Sequence, residues 1–115
     1  MHEYSIASSL LRLAEEHASK HEAIRVVTLE VRIGEFSGVE VPLLETAWTL
    51  VRERSVCDGV DLAIRRVAAR WACADCDTDL RQGAVLTCSV CGGAARLTAG
   101  DELILDRIEM EVPDV

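Results

Sequence analysis

Aromatic side chains are scarce in this 115-residue sequence: Tyr4, Phe36, Trp48 and Trp71 are all it has. A core built without more of them has to come from Val, Leu, Ile and Ala. Basic residues are also few. Twelve Lys and Arg stand against twenty Asp and Glu, a formal net charge of −8. Such a surface repels phosphate backbones and anionic lipid headgroups, so neither nucleic acid nor a membrane is favoured as a partner. The start, Met1-His2-Glu3-Tyr4, lacks the basic and apolar regions of a signal peptide, and no apolar run approaches transmembrane length. The chain is therefore expected in the cytoplasm, where thiols stay reduced and paired cysteines mean metal more often than disulfide. Internal repeats and low-complexity segments are absent too, and the composition is that of an ordinary globular chain.

What is there alternates between two periods. Ile6, Leu10, Leu13, Ala14 and His17 keep to one face of a helix over residues 5–20, with Ser5 placed to cap it. Over residues 24–33 the period drops to two: Val27, Leu29, Val31 and Ile33 alternate with polar residues, as in a strand with one buried face. Pro42 suits a first helical turn, and Leu44, Ala47, Trp48 and Val51 line a second helix over 42–54. Asp58-Gly59 signals a turn before a strand through Val60, Leu62 and Ile64. In residues 102–112, Leu103 and Leu105 are out of phase with Ile108, Met110 and Val112, which predicts a bulge near Asp106. A lone strand cannot bury its apolar face, so this last one should return to the first sheet. The expectation is an α+β fold: a small mixed β-sheet packed with two helices, formed by 1–70 and 101–115. A four-cysteine, zinc-ribbon-like domain is inserted at 71–100.

Cys73-x2-Cys76 and Cys88-x2-Cys91 carry the strongest signal. Two intervening residues let one tight turn aim two sulfurs at one ion, and two such turns supply a thiolate tetrahedron, the arrangement structural zinc prefers. Four thiolates also suit iron, which remains the competing ion. With all four positions filled by protein, the metal has no site for water and is read as scaffolding. Cys57, the odd cysteine, falls in a predicted turn and reads as an incidental reduced thiol. No nucleophile, general base or open catalytic metal is evident, so the chain is not read as an enzyme.

The N-terminus offers a different donor set. An α-amine, the next amide nitrogen and the His2 imidazole can form fused chelate rings that suit nickel(II) or copper(II), and Glu3 can add a carboxylate. His17 and His21, four apart on the first helix, also have a chelating step. They are read instead as an apolar-face residue and a cation at a helix C-terminus. The acidic Glu15, Glu16, Glu109 and Glu111 read as solvated surface.

Several motifs then converge: Met1-His2-Glu3; Ile33-Gly34-Glu35-Phe36-Ser37-Gly38-Val39-Glu40 with Leu44 behind it; Gly59-x-x-Leu62; the paired C-x2-C; and Arg107-Ile108-Glu109. In this order, over nearly the whole chain, they resemble the HypA/HybF family of nickel-insertion chaperones for [NiFe]-hydrogenase. Thr46 stands where that family has an aromatic residue. The resemblance implies a nickel-binding domain with a zinc domain inserted into it. It implies nickel held by the Met1 amine and backbone, by His2, and by the acidic Glu3 and Glu40. It further implies a structural zinc on Cys73, Cys76, Cys88 and Cys91. The partners it implies are a hydrogenase maturation GTPase and the [NiFe]-hydrogenase large subunit, with room for a homodimer. Two other classes stay open: a zinc-ribbon module that contacts nucleic acid, and a thiol sensor built on the cysteine pairs. The negative charge and the unclustered Arg81 and Arg96 speak against the first.

Overall fold

In the computed structural model, residues 2–80, 87–88 and 90–113 are described, and the chain divides into two compact units. The first comprises Met1–Arg32, Val39–Arg65 and Ile104–Val115; the second comprises Ile33–Gly38 and Arg66–Leu103. The second unit is thus wider than the expected 71–100 insert, because the Gly34–Phe36 stretch bonds to residues 67, 69 and 100.

Helix α1 spans Glu3–Lys20. It begins two residues before the expected Ser5, with His2 as N-cap and no side-chain capping bond. Glu3, Ala7, Leu10, Ala14 and Ala18 form its buried stripe. The stripe is rotated from the expected one: Leu13 is 40% exposed and His17 faces solvent. Small alanines allow a close approach to helix α2 (Val41–Val51), whose buried face is Val41, Leu44, Ala47 and Trp48. Pro42 sits in the first turn as expected, where its missing N–H costs nothing. The helix stops before the expected residue 54, since Arg54 adopts a left-handed φ of 58°. Thr46 turns its hydroxyl back onto the Pro42 carbonyl (3.1 Å), which satisfies it within the helix.

The first sheet has the order β2-β1-β6, with β1 at Arg25–Gly34, β2 at Leu62–Val67 and β6 at Leu103–Glu111. The Ile24 N–H donates to the Glu111 carbonyl and the Gly34 N–H to that of Glu102, each at 2.7 Å, so β1 and β6 are antiparallel. The Glu35 N–H donates to the Val67 carbonyl (2.8 Å), bringing the ends of β1 and β2 together. Those strands are parallel, with α2 as their crossover, and the sheet is mixed. Along β1 the buried residues are Val26, Leu29, Val31 and Ile33. The phase slips between 26 and 29, leaving Val27 exposed where alternation placed it inside. The Val26 N–H bonds to Val56 at that point. In β6 the phase change falls at Asp106-Arg107, both exposed, as the opposed phases of Leu105 and Ile108 predicted.

Trp48 is the largest fully buried side chain, and its indole N–H donates to the Val60 carbonyl at 2.6 Å. Cys57 lies in a turn, as expected, but it is completely buried and belongs to the core. Burial, with Glu15 nearby, pushes its pKa up to about 11.

In the second unit, β3 (Arg70–Cys73) is the central strand between β4 (Asp79–Leu80) and β5 (Ala95–Ala99), antiparallel to both. The Gly34–Phe36 stretch packs here. The Phe36 N–H bonds to the Gly100 carbonyl, the Glu35 carboxylate accepts the Ala69 N–H at 2.9 Å, and the Phe36 and Trp71 rings meet edge-on. Gly100 has a φ of +110°, and a Cβ there would lie 2.6 Å from the Ala69 Cα. The family-like Ile33–Gly38 segment is therefore explained by close backbone approach.

Candidate metal centres

Two nearly identical turns build the cysteine site. The Cys73 carbonyl accepts the Asp77 N–H (3.0 Å), and the Cys88 carbonyl accepts the Gly92 N–H (2.8 Å). The Cys73 N–H donates to Thr78 (2.9 Å), and the Cys88 N–H donates to Gly93 (2.8 Å). The residue after each second cysteine is left-handed, with φ of 60° at Asp77 and 76° at Gly92. Backbone amides converge on the first sulfur of each turn: Asp75 and Cys76 on Cys73, and Val90 on Cys88, at 3.4–3.5 Å. Amide donors aimed at sulfur stabilise thiolate, the form a metal binds.

The sulfurs face one another across a small space. All four lie within 4.8 Å of each other. Cys73 and Cys91 are 3.3 Å apart, Cys76 and Cys91 3.6 Å, and Cys76 and Cys88 3.7 Å. A disulfide would bring two of them to about 2.05 Å. The edge of a tetrahedron with metal–sulfur bonds of about 2.3 Å is roughly 3.8 Å, which the observed separations approach. The residues therefore fit a four-thiolate metal. The bare cluster opposes full ionisation: the Thr78 hydroxyl beside Cys76 helps lower that thiol to about 6, whereas Cys73 beside Cys91 raises the latter to about 12. A dication at the centre removes this conflict. Cys73 and Cys88 are buried, while Cys76 and Cys91 reach the surface. Gly93 makes the closure possible, since a Cβ there would stand 2.8 Å from the Cys73 sulfur and against Asp75.

Arg96 is bonded to Asp77 at 2.7 Å, and Arg81 lies outside the described residues, as does Met1. His2 is exposed and its carbonyl accepts the Ile6 N–H, so the imbedded main chain opens α1 while the imidazole is not used as a cap. Glu3, although charged, is buried. Its carboxylate accepts the Glu40 N–H at 3.0 Å, which is the first cause of its lowered pKa. Glu40 is the N-cap of α2 and its side chain is exposed. The fold thus brings Glu3 to the backbone of Glu40. Among the described residues, however, the cysteine cluster is the one group of three or more ligating side chains already gathered. The Glu3–Glu40 link was missed from the sequence, which has no local signal for a contact spanning 37 positions.

The chain is similar to known proteins over nearly its whole length. The family model described as hydrogenase/urease nickel incorporation, metallochaperone, hypA matches residues 1–110. The hydrogenase maturation factor HypA of Nitrosospira multiformis is 37% identical over 112 residues, covering 96% of this chain and 97% of the relative. That of Wolinella succinogenes is 38% identical over 117 residues, covering 99% and 98%. A solution structure described as the Ni metallochaperone HypA from Helicobacter pylori superposes with a TM-score of 0.73 at 35% identity, covering 98% of this chain and 100% of that one. A second, described as HypA protein, gives 0.80 at 35% identity, covering 98% of each.

Proposed function

The chain belongs to the HypA family of hydrogenase/urease nickel metallochaperones, and from that premise we propose that it carries nickel(II) at its N-terminus for [NiFe]-hydrogenase maturation. The observation that carries the reading is His2: an exposed imidazole at the mouth of α1, not spent on capping, beside a buried carboxylate that is tied to a second helix. In this proposal His2 is the principal ligand, with the Met1 amine and backbone nitrogen. Glu3 mainly positions the chain, since its carboxylate already holds the Glu40 N–H, and the exposed Glu40 side chain is the freer auxiliary donor. Few ligands, with His2 exposed, permit exchange with a recipient. Nickel is accepted from a maturation GTPase and passed to the hydrogenase large subunit in the cytoplasm.

Zinc is the proposed occupant of Cys73, Cys76, Cys88 and Cys91. A filled thiolate tetrahedron has no open position for water, so its contribution is to folding. Among the described residues, the unit around it buries mainly small side chains such as Ala69 and Ala72, a thin core. Metal binding of order 10 kcal/mol makes up that deficit. The proposed division of labour is a nickel-binding domain of 1–70 and 101–115 with the zinc domain inserted, its edges widened to the compact units above.

Nickel(II) titrated calorimetrically into zinc-loaded wild type and His2→Ala tests the reading. Loss of the tight nickel equivalent with zinc content unchanged is expected; identical affinity and stoichiometry in the two chains would reject it.

A further inference from the structure

The four gathered cysteines are not alike. Cys73 is 0% and Cys88 4% exposed, while Cys76 and Cys91, the second cysteine of each turn, are open to solvent. Cys73 is the last residue of β3, opposite Ala95, with its N–H bonded to Thr78 and its carbonyl to Asp77. Cys88 adjoins the Thr87–Ala94 bridge, donates its N–H to Gly93 and accepts that of Gly92. The buried pair is thus fixed by main-chain bonds, and the exposed pair sits in the turns themselves. Every sulfur accepts hydrogen bonds: Cys73 from the Asp75 and Cys76 amides, Cys88 from that of Val90, Cys76 from Thr78 and Cys91 from Gly93. Such bonds quieten all four, so access to solvent decides which sulfurs react.

We propose that Cys76 and Cys91 are an oxidation site for hydroperoxides, closing into a cross-turn disulfide that empties the metal position; this rests on the zinc reading above. Their sulfurs are 3.6 Å apart, so the thiol that resolves the reaction already stands beside the one attacked. One exposed thiolate attacks a peroxide oxygen, giving a sulfenic acid and a hydroxide (an alkoxide from an alkyl hydroperoxide). The other thiolate attacks that sulfenic sulfur, forms the S–S bond and expels a second hydroxide. Two electrons pass from the two sulfurs to the peroxide, and water protonates the leaving oxygens. Cys73 lies nearer to Cys91, at 3.3 Å, and Cys88 lies 3.7 Å from Cys76. Both, however, are the buried sulfurs whose main chain is held in place. After oxidation only Cys73 and Cys88 remain as thiolates, half the set that structural zinc needs.

The test needs no substitution. Zinc is first counted in the full wild-type chain; a chain that takes up none rejects the zinc reading itself. Hydrogen peroxide is then added to the zinc-loaded chain with a chromophoric chelator present, and the reaction is stopped with catalase. Free thiols are blocked in denaturant with one iodoacetamide, disulfides are reduced, and the released thiols take an isotopically heavy one. Fragmentation by mass spectrometry reads each cysteine separately. The expected result is one zinc lost per disulfide formed, heavy label on Cys76 and Cys91, and light label on Cys73, Cys88 and Cys57. A reductant with added zinc should restore the zinc-loaded chain. Zinc retained with every thiol reduced overturns the proposal. So does heavy label on Cys73 or Cys88, a disulfide between two chains, or sulfinic acid without a disulfide.

Discussion

The Glu3 carboxylate accepts the Glu40 backbone N–H at 3.0 Å, which joins the first turn of α1 to the N-cap of α2. One contact therefore connects the chain end to a loop 37 positions away, and places a negative charge at the N-terminus of α2, where the helix dipole favours it.

This contact has a pH signature. Glu3 ionises below its ordinary value of 4.5, first because of the Glu40 N–H, so its folded pKa is depressed. Its contribution is full above the unfolded pKa and is lost as pH falls through the folded one. Glu3→Gln should lower Tm at pH 7, and the gap to wild type should close as pH drops below about 4.5. A gap independent of pH would show that the carboxylate charge is not what matters.

Acidification also acts on nickel. Ligation needs neutral imidazole and a deprotonated amine, so affinity at the proposed N-terminal site should fall as the pH drops. Extending the chain by a Gly-Ser dipeptide ahead of Met1 should weaken nickel binding comparably to His2→Ala, read by competition with a chromophoric chelator. Retained affinity would remove the amine from the ligand set.

Gly93→Ala should loosen the cysteine site without touching a ligand. Its new methyl would press on the Cys73 sulfur and the Asp75 carboxylate. Faster zinc loss to a chelator is expected, whereas an unchanged release rate would mean the turn absorbs the methyl. Removal of the proposed zinc by a chelator should collapse amide dispersion in β3, β4 and β5 while α1 and β1 keep theirs.

Trp48 should dominate stability. It is buried, and its indole N–H donates to Val60, whose carbonyl also accepts from Arg52 at 2.8 Å. Trp48→Phe should cost about 1–3 kcal/mol, since the carbonyl keeps one donor, and Trp48→Ala about 3–5 kcal/mol from the cavity. Denaturant unfolding measures both; equal losses would assign the effect to the hydrogen bond rather than to volume.

Cys57 should resist alkylation. Its burial and a pKa of about 11 leave almost no thiolate at pH 8, so labelling should follow unfolding, and mass spectrometry of the intact zinc-loaded protein reads this directly. Rapid labelling under native conditions would show that the residue is accessible.

Period alone located both helices, the three strands of the first sheet and even the phase change at Asp106, because the apolar residues there recur at spacings only one conformation buries. The same pattern misplaced faces. Alanine is a weak apolar signal, so the sequence favours Leu13 and His17 over Ala7 and Ala18, and the buried stripe of α1 is rotated from the expected one. The Val26–Leu29 slip was hidden because Val26 and Val27 are equally apolar. Cysteine spacing, by contrast, marked the four cysteines as neighbours, as the cluster shows, since each pair is held by a turn of its own sequence.

By itself, then, the sequence determined the two helices, the strands of the first sheet, the cysteine cluster and the family, all of which depend on residues close together or on an ordered set of motifs. Tertiary structure alone decided the rest: the burial of Glu3 against Glu40, the close approach of Gly34 and Gly100, and the core position of Cys57. Each of these joins residues far apart along the chain, and the pairing of distant segments is set by how whole faces pack, which local spacing does not encode.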